Sequence, residues 1–160
     1  MQMPYVIFDL DGTVIDSSHR KATRIDGSLD LEYWLENNTP EKIALDTLLP
    51  LARVMKILAQ SCHVIVCTAR AIQQADLDFM AANGLKYNAF LSREHGNNES
   101  DESLKERLLS NYFKGLGLAS VADAKAIFFD DNLAVLDTIA KLGVTCYDAT
   151  IANNRLARRA

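Results

Sequence analysis

Asp9 and Asp11 close the run Tyr5-Val6-Ile7-Phe8-Asp9-Leu10-Asp11-Gly12-Thr13, so two carboxylates stand one residue apart before a glycine and a hydroxyl. A short apolar run ended by a turn signal reads as a buried parallel strand. In open α/β sheets the ligand crevice lies beyond the carboxyl ends of the strands. Both acids therefore face a place where one cation and one reacting group can reach them together. The bland alternative is a turn in which the carboxylates only solvate the loop.

Two further apolar runs end in polar groups, and the order matters. Val64-Ile65-Val66-Cys67 ends at Thr68-Ala69-Arg70, and Ala126-Ile127-Phe128-Phe129 ends at Asp130-Asp131-Asn132. Lys105 precedes the latter, on a helical stretch that begins among Ser100, Asp101 and Glu102. Taken singly, Lys105 reads as a solvated surface residue, and helix capping is the bland alternative for Thr68 and for the Asp pair. Two adjacent acids repel each other, however, so a cation between them and Asp9 is the economical account.

The ordered set Asp-x-Asp-Gly-Thr, Thr, Lys, Asp-Asp resembles the four motifs of the haloacid dehalogenase (HAD) superfamily of aspartyl-phosphate phosphotransferases. A receiver domain uses similar residue types, but no lone Asp ends a central strand before Thr68. The resemblance implies Asp9 as nucleophile and metal ligand, and Asp11 as general acid and base with its backbone carbonyl on the metal. Asp11 must then be protonated when substrate arrives, which requires a raised pKa. Thr68 is implied as a phosphoryl hydrogen-bond donor, and Lys105 as the charge that neutralises the transferring group and holds Asp9 ionised. Asp131 is implied as the direct metal ligand and Asp130 as a water-mediated or orienting one. Mg²⁺ suits this donor set, since it retains waters and bridges carboxylate to phosphate. Gly12, Thr13, Ala69, Arg70, His19 and Arg20 complete the expected substrate contacts, with a salt bridge inside the protein as an equal reading for Arg70 and a plain surface role for His19 and Arg20. Arg93 and His95, in a polar loop, fit a surface role equally well.

Additional residues resemble the phosphatase domain of phage polynucleotide kinase-phosphatase. These are Ser18-His19-Arg20, Tyr33-Trp34, Leu91-Ser92-Arg93 and Leu142-Gly143-Val144. That resemblance runs from residue 4 to 149 and implies a nucleic-acid 3′-phosphate end as substrate. Asp-Asp-Asn, where that family often has Asp-Asp-Arg, removes a basic group. A small-molecule nucleotide monophosphatase, acting on 5′- or 3′-nucleotides, is the alternative, and a non-catalytic binding module of the same fold is a third reading. No phosphate-binding loop of the kinase type occurs in the sequence.

The elements that must position these residues alternate. Strand-like runs at 5–10, 63–68, 89–91, 126–129 and 144–147 are separated by helical patterns at about 50–58, 72–83, 100–115 and 132–142. This predicts a single-domain α/β fold of HAD-like Rossmannoid type, a mainly parallel sheet with helices on both faces. Residues 16–48 fit the alternation least and read as a minimal cap insertion with one or two short helices. Trp34 is expected to anchor this insertion by core packing, with stacking on a base as the alternative. The domain is expected over 1–150, with 151–160 a solvated, frayed basic tail.

At 160 residues, 49% hydrophobic and 24% charged, the composition is that of one globular domain. A net charge of −4 argues against a strong nonspecific grip on nucleic acid. Cys62, Cys67 and Cys146 read as reduced thiols of a cytoplasmic protein, and neither a signal peptide nor a membrane span is expected. The pattern leaves the oligomeric state open.

Overall fold

The computed structural model describes residues 2–160; Met1, part of the leader reading, lies outside them. Strand β1 (Tyr5–Phe8) is buried at every position and forms the centre of the sheet. After it come β2 (Ile15–Asp16), a 3₁₀ turn (Ser18–Arg20), α1 (Leu31–Asn37), α2 (Pro40–Ile43) and β3 (Thr47–Leu48). The alternating part follows: α3 (Leu51–Leu58), β4 (His63–Ala71), α4 (Gln74–Ala82), β5 (Ala89–Arg93), α5 (Asp101–Gly115), β6 (Ile127–Asp130), α6 (Leu133–Ala140), β7 (Thr145–Asp148) and α7 (Ala149–Arg158).

Five strands form one sheet in the order β5-β4-β1-β6-β7, and every neighbouring pair is parallel. Parallel strands need crossovers, and helices on both faces supply them. One apolar cluster joins Val6, Phe8, Val64 and Val66 to Leu51, Met55, Phe79, Met80 and Ala149 from α3, α4 and α7. On the opposite face Ile7, Ile65 and Phe128 pack with Leu109, Phe113, Val135 and Ile139 from α5 and α6. The alternation along β1 sends successive side chains to these two cores. The expected doubly covered α/β sheet is what the chain forms.

Two differences from the expected elements have plain causes. The first strand leaves the sheet at Asp9, because the carbonyl of Leu10 turns to accept hydrogen bonds from the N–H groups of Thr13, Val14 and Ile15 at 3.1, 3.0 and 3.0 Å. The expected frayed tail is helix α7. Its Ala149 is fully buried, and its Asn153 side chain accepts from the N–H of Leu51 (2.8 Å) and donates to the carbonyl of Thr13 (2.9 Å). A single buried amide thus ties the chain end to the loop after β1. Residues 16–48 carry the two short helices, the 3₁₀ turn and the small β2–β3 ribbon. No helix among the described residues is long and apolar enough to cross a membrane.

Candidate active site

The carboxyl ends of β1, β4 and β6 open together into a cavity of about 900 Å³. Asp9, Asp11, Thr68, Ala69, Arg70, Lys105, Asp130 and Asp131 all line it. Asp9 sits where β1 ends, with both carboxylate oxygens committed: Lys105 Nζ donates to Oδ1 at 2.8 Å and Thr13 Oγ1 to Oδ2 at 3.1 Å. Lys105 reaches inward because it shares the buried face of α5 with Leu104, Leu109 and Phe113. Its second partner is Asp130, at 2.6 Å. Burial alone would lower this ammonium's pKa, but the charges of Asp9 and Asp130 outweigh it and hold Lys105 protonated.

The capping reading of the Asp pair fails, because Asn132 caps α6 by accepting from the N–H groups of Ala134 and Val135. Asp130 instead holds Lys105 and the Asn132 N–H (2.8 Å), while half-buried Asp131 faces Asp9. Oxygens of Asp9, Asp130 and Asp131 all lie within 4.8 Å of one another. Burial, and then the charge of Asp9, raises the pKa of both Asp130 and Asp131. Gly12 makes this closeness possible: its φ is +76°, and a Cβ there would overlap the Asp131 carboxylate. An all-oxygen carboxylate set with one lysine as its near compensation fits a hard divalent cation such as Mg²⁺.

Thr68, buried near the end of β4, accepts a hydrogen bond from the Arg70 N–H at 3.1 Å. It does not cap α4, where Gln73 and Asp76 form the capping box. Ala69 lines the cavity, and its carbonyl accepts from Arg93 Nε at 2.8 Å. Arg93 also holds the Glu99 carbonyl (2.7 Å) and Asp101 (2.8 Å), which fixes the 93–101 loop as one rim of the cavity. His95 lies on that rim beside the Ile72 carbonyl.

Four expectations change. Asp11 was expected to carry a raised pKa, and it is lowered. Burial pushes it up, but the Arg70 guanidinium, hydrogen-bonded to both its oxygens, outweighs burial and keeps it ionised. Ser17 donates to the same carboxylate. Arg20, expected at the substrate, is fully buried: Nε and Nη2 donate to Asp46 at 2.9 and 2.7 Å, and Nη1 to Asn38 at 3.0 Å. His19 joins Asp46 at 2.8 Å and does not line the cavity. Trp34 belongs to neither core. It lines the cavity, with the Arg20 guanidinium 4.5 Å from its ring centre and that of Arg70 at 5.8 Å.

Sequence reasoning missed four residues. Asp46 is the buried acid between Arg20 and Arg70, with Arg70 at 3.7 Å, and Asp76 is the second partner of Arg70. Asn153 supports the loop from below. Lys21 lines the cavity, and its charge helps to lower the pKa of Asp11 and opposes the rise at Asp131, yet it forms no ion pair among the described residues. Its position next to Ser-His-Arg was the only signal for it.

The chain is 32% identical to the 5′-deoxynucleotidase of Escherichia phage T5, over 95% of this chain and 69% of that protein. Among solved structures it resembles a haloacid dehalogenase-like family hydrolase of Streptococcus pneumoniae (TM-score 0.64, 14% identity, 91% of this chain and 84% of that one). It also resembles a HAD family enzyme of Bacteroides thetaiotaomicron solved with magnesium and inorganic phosphate (TM-score 0.52, 10% identity, 91% and 93%). A chain of a Pnkp1/Rnl/Hen1 complex matches with TM-score 0.69 and 23% identity over 91% of this chain, which spans 46% of that one. The fold is thus shared with haloacid dehalogenase-like hydrolases, and residues 2–159 match the Bacteriophage T5 5′-deoxynucleotidase family, so the chain is a phosphatase that belongs to that family.

Proposed function

We propose that the protein is a metal-dependent 5′-deoxynucleotide monophosphatase that works through an aspartyl-phosphate on Asp9. The observation that carries the chemistry is the convergence of Asp9, Lys105 and Asp131 at the ends of β1 and β6, with Asp11 and Thr68 on the same cavity. The family match supports the nucleotide substrate.

Asp9 and Asp131 would hold Mg²⁺, with the Asp11 carbonyl beside them and Asp130 orienting Lys105. Bound there, the cation would offset the negative charge of the phosphate and of the clustered carboxylates. Asp9 attacks phosphorus, and the bond to the leaving 5′-oxygen breaks. Asp11 gives that oxygen a proton, then takes one from the water that frees phosphate and restores Asp9. Lys105 and Thr68 compensate charge on the transferring oxygens. Because Arg70 holds Asp11 ionised before substrate binds, Asp11 has to take a proton from solvent or from a monoanionic substrate phosphate as the substrate arrives, and its pair with Arg70 has to loosen for that to happen.

The motif run by itself favours a polynucleotide 3′ end; the family match and the state of the basic groups favour the free nucleotide. Arg70, Arg93 and Lys105, which line the cavity, are all engaged by protein acceptors, which leaves Lys21 as a cavity-lining cation without an ion pair among the described residues to meet further phosphates. Phosphate release from a 5′-deoxynucleotide, a 3′-deoxynucleotide and a 3′-phosphorylated oligonucleotide, with Mg²⁺ or with EDTA, tests the reading. EDTA-sensitive preference for the 5′-nucleotide supports it. Preference for the oligonucleotide would replace it with end healing.

A further inference from the structure

Among the helices of the described residues α1 is the odd one, because none of its seven residues is buried while every other helix buries at least one. It nevertheless carries Leu31, Trp34 and Leu35, at positions i, i+3 and i+4, which share one helical face. Single exposed leucines need no explanation. Here, however, all three of these residues, with Leu29 before them, line the cavity that holds Asp9. Leu31 and Leu35 are 54% and 62% exposed, so they support no core of their own.

The wall is also held firmly. Asp30 caps α1 by accepting from the Tyr33 N–H (3.1 Å), and Gln73 Nε2 donates to the Asn38 carbonyl just past it (2.8 Å). Trp34 lies against Arg20, which is locked to Asp46, and close to Arg70, which is locked to Asp11. An apolar wall is thereby set one guanidinium away from the group that would protonate the leaving oxygen. Ligand sites of this size combine apolar walls with a few placed polar groups.

Resting on the nucleotidase reading, we propose that the Leu31–Trp34–Leu35 face of α1 is the nucleobase subsite, holding the base while the 5′-phosphate lies at Asp9. Base faces stack on aromatic and apolar side chains without regard to sequence. Leu31 and Leu35 offer no hydrogen-bonding group, so this face selects for the presence of a base more than for its identity.

Trp34 is the only tryptophan of the chain, which gives a direct readout. In Asp9→Asn protein with Mg²⁺, thymidine 5′-monophosphate is expected to change the tryptophan emission saturably, while 2-deoxyribose 5-phosphate and inorganic phosphate leave it unaltered. In the catalytically intact background, Leu31→Ser/Leu35→Ser should lower the ratio of kcat/KM for the nucleotide over deoxyribose 5-phosphate by about tenfold. Both positions are exposed, so the variant should fold. If the nucleotide is hydrolysed but no better than the base-free sugar phosphate, and emission does not change, the base subsite is refuted while the nucleotidase reading stands. If no 5′-nucleotide is hydrolysed although other phosphomonoesters are, both fall.

Discussion

The Asn153 side-chain amide donates to the carbonyl of Thr13 at 2.9 Å, joining the last helix to the loop after β1 across 140 positions of chain. The same side chain accepts from the Leu51 N–H, one of the donors that every helix N-terminus leaves unsatisfied. Asn153→Ala strands both groups out of water, which costs about 1–3 kcal/mol for each unsatisfied partner. The expected outcome is a thermal midpoint lower by roughly 2–4 °C per kcal/mol, with a further loss of turnover where Thr13 no longer holds Asp9. An unchanged melting curve would show that α7 is dispensable.

The candidate acids Asp9, Asp130 and Asp131 were legible in the sequence because they close apolar runs, and an apolar run is local information. Lys105 was legible by its place between Thr68 and the Asp pair. What could not be read is the pairing of buried polar groups from distant segments. Arg20 finds Asp46 26 residues away, and Asn153 finds Thr13 from a stretch whose composition looks like a tail. Neither partner stands out in periodicity or propensity. Asp11 shows the same limit: its motif implies a protonated acid, but the charge that ionises it comes from Arg70, 59 residues on.

Arg20 gives the sharpest contrast between a substrate reader and a structural cation. Its guanidinium and Asp46 are both fully buried. Arg20→Ala leaves Asp46 buried with reduced compensation, a loss of about 3–5 kcal/mol for such pairs. Urea unfolding should show that loss as a lower midpoint. An unaltered midpoint with a raised KM would instead return Arg20 to the substrate.

The cation reading has a test that needs no turnover. A ligand that binds only the folded protein stabilises it, by about 2.7 kcal/mol at one hundred times its Kd. Mg²⁺ added to EDTA-treated protein should therefore raise the melting temperature, and Asp131→Asn should remove most of that rise. Equal shifts in both proteins would place the cation elsewhere.

Cys67 lies under the site on β4, fully buried. Burial, opposed by Lys105 and reinforced by Asp9 and Asp130, pushes its thiol up to about 12 from an ordinary 9.0. A folded-state pKa above the unfolded one gives stability that is complete below the unfolded value and lost as pH rises toward the folded one. Urea midpoints should thus fall from pH 9 upward. Cys67→Ala should reduce that slope, most clearly between pH 9 and 10, leaving the shares of Cys146, raised to about 11, and at higher pH of Tyr112 and Lys105, which are raised as well. An identical alkaline slope in the variant would exclude the thiol as its source.

Lys21 separates charge at the site from charge in the fold. It makes no ion pair among the described residues, so Lys21→Met leaves no buried partner behind and should shift the melting temperature little. Its charge nonetheless helps to lower the pKa of Asp11 and opposes the rise at Asp131, which places it within electrostatic reach of both carboxylates. Removing a cation that meets the phosphate dianion should lower kcat/KM by about tenfold for each 1.4 kcal/mol of lost transition-state stabilisation. Lys21→Arg should restore part of it. Because Lys21 is only partly buried, added salt should narrow the gap between wild type and Lys21→Met. A full-activity Lys21→Met would mean that the substrate phosphate is held by Lys105 and the strand-end groups without it.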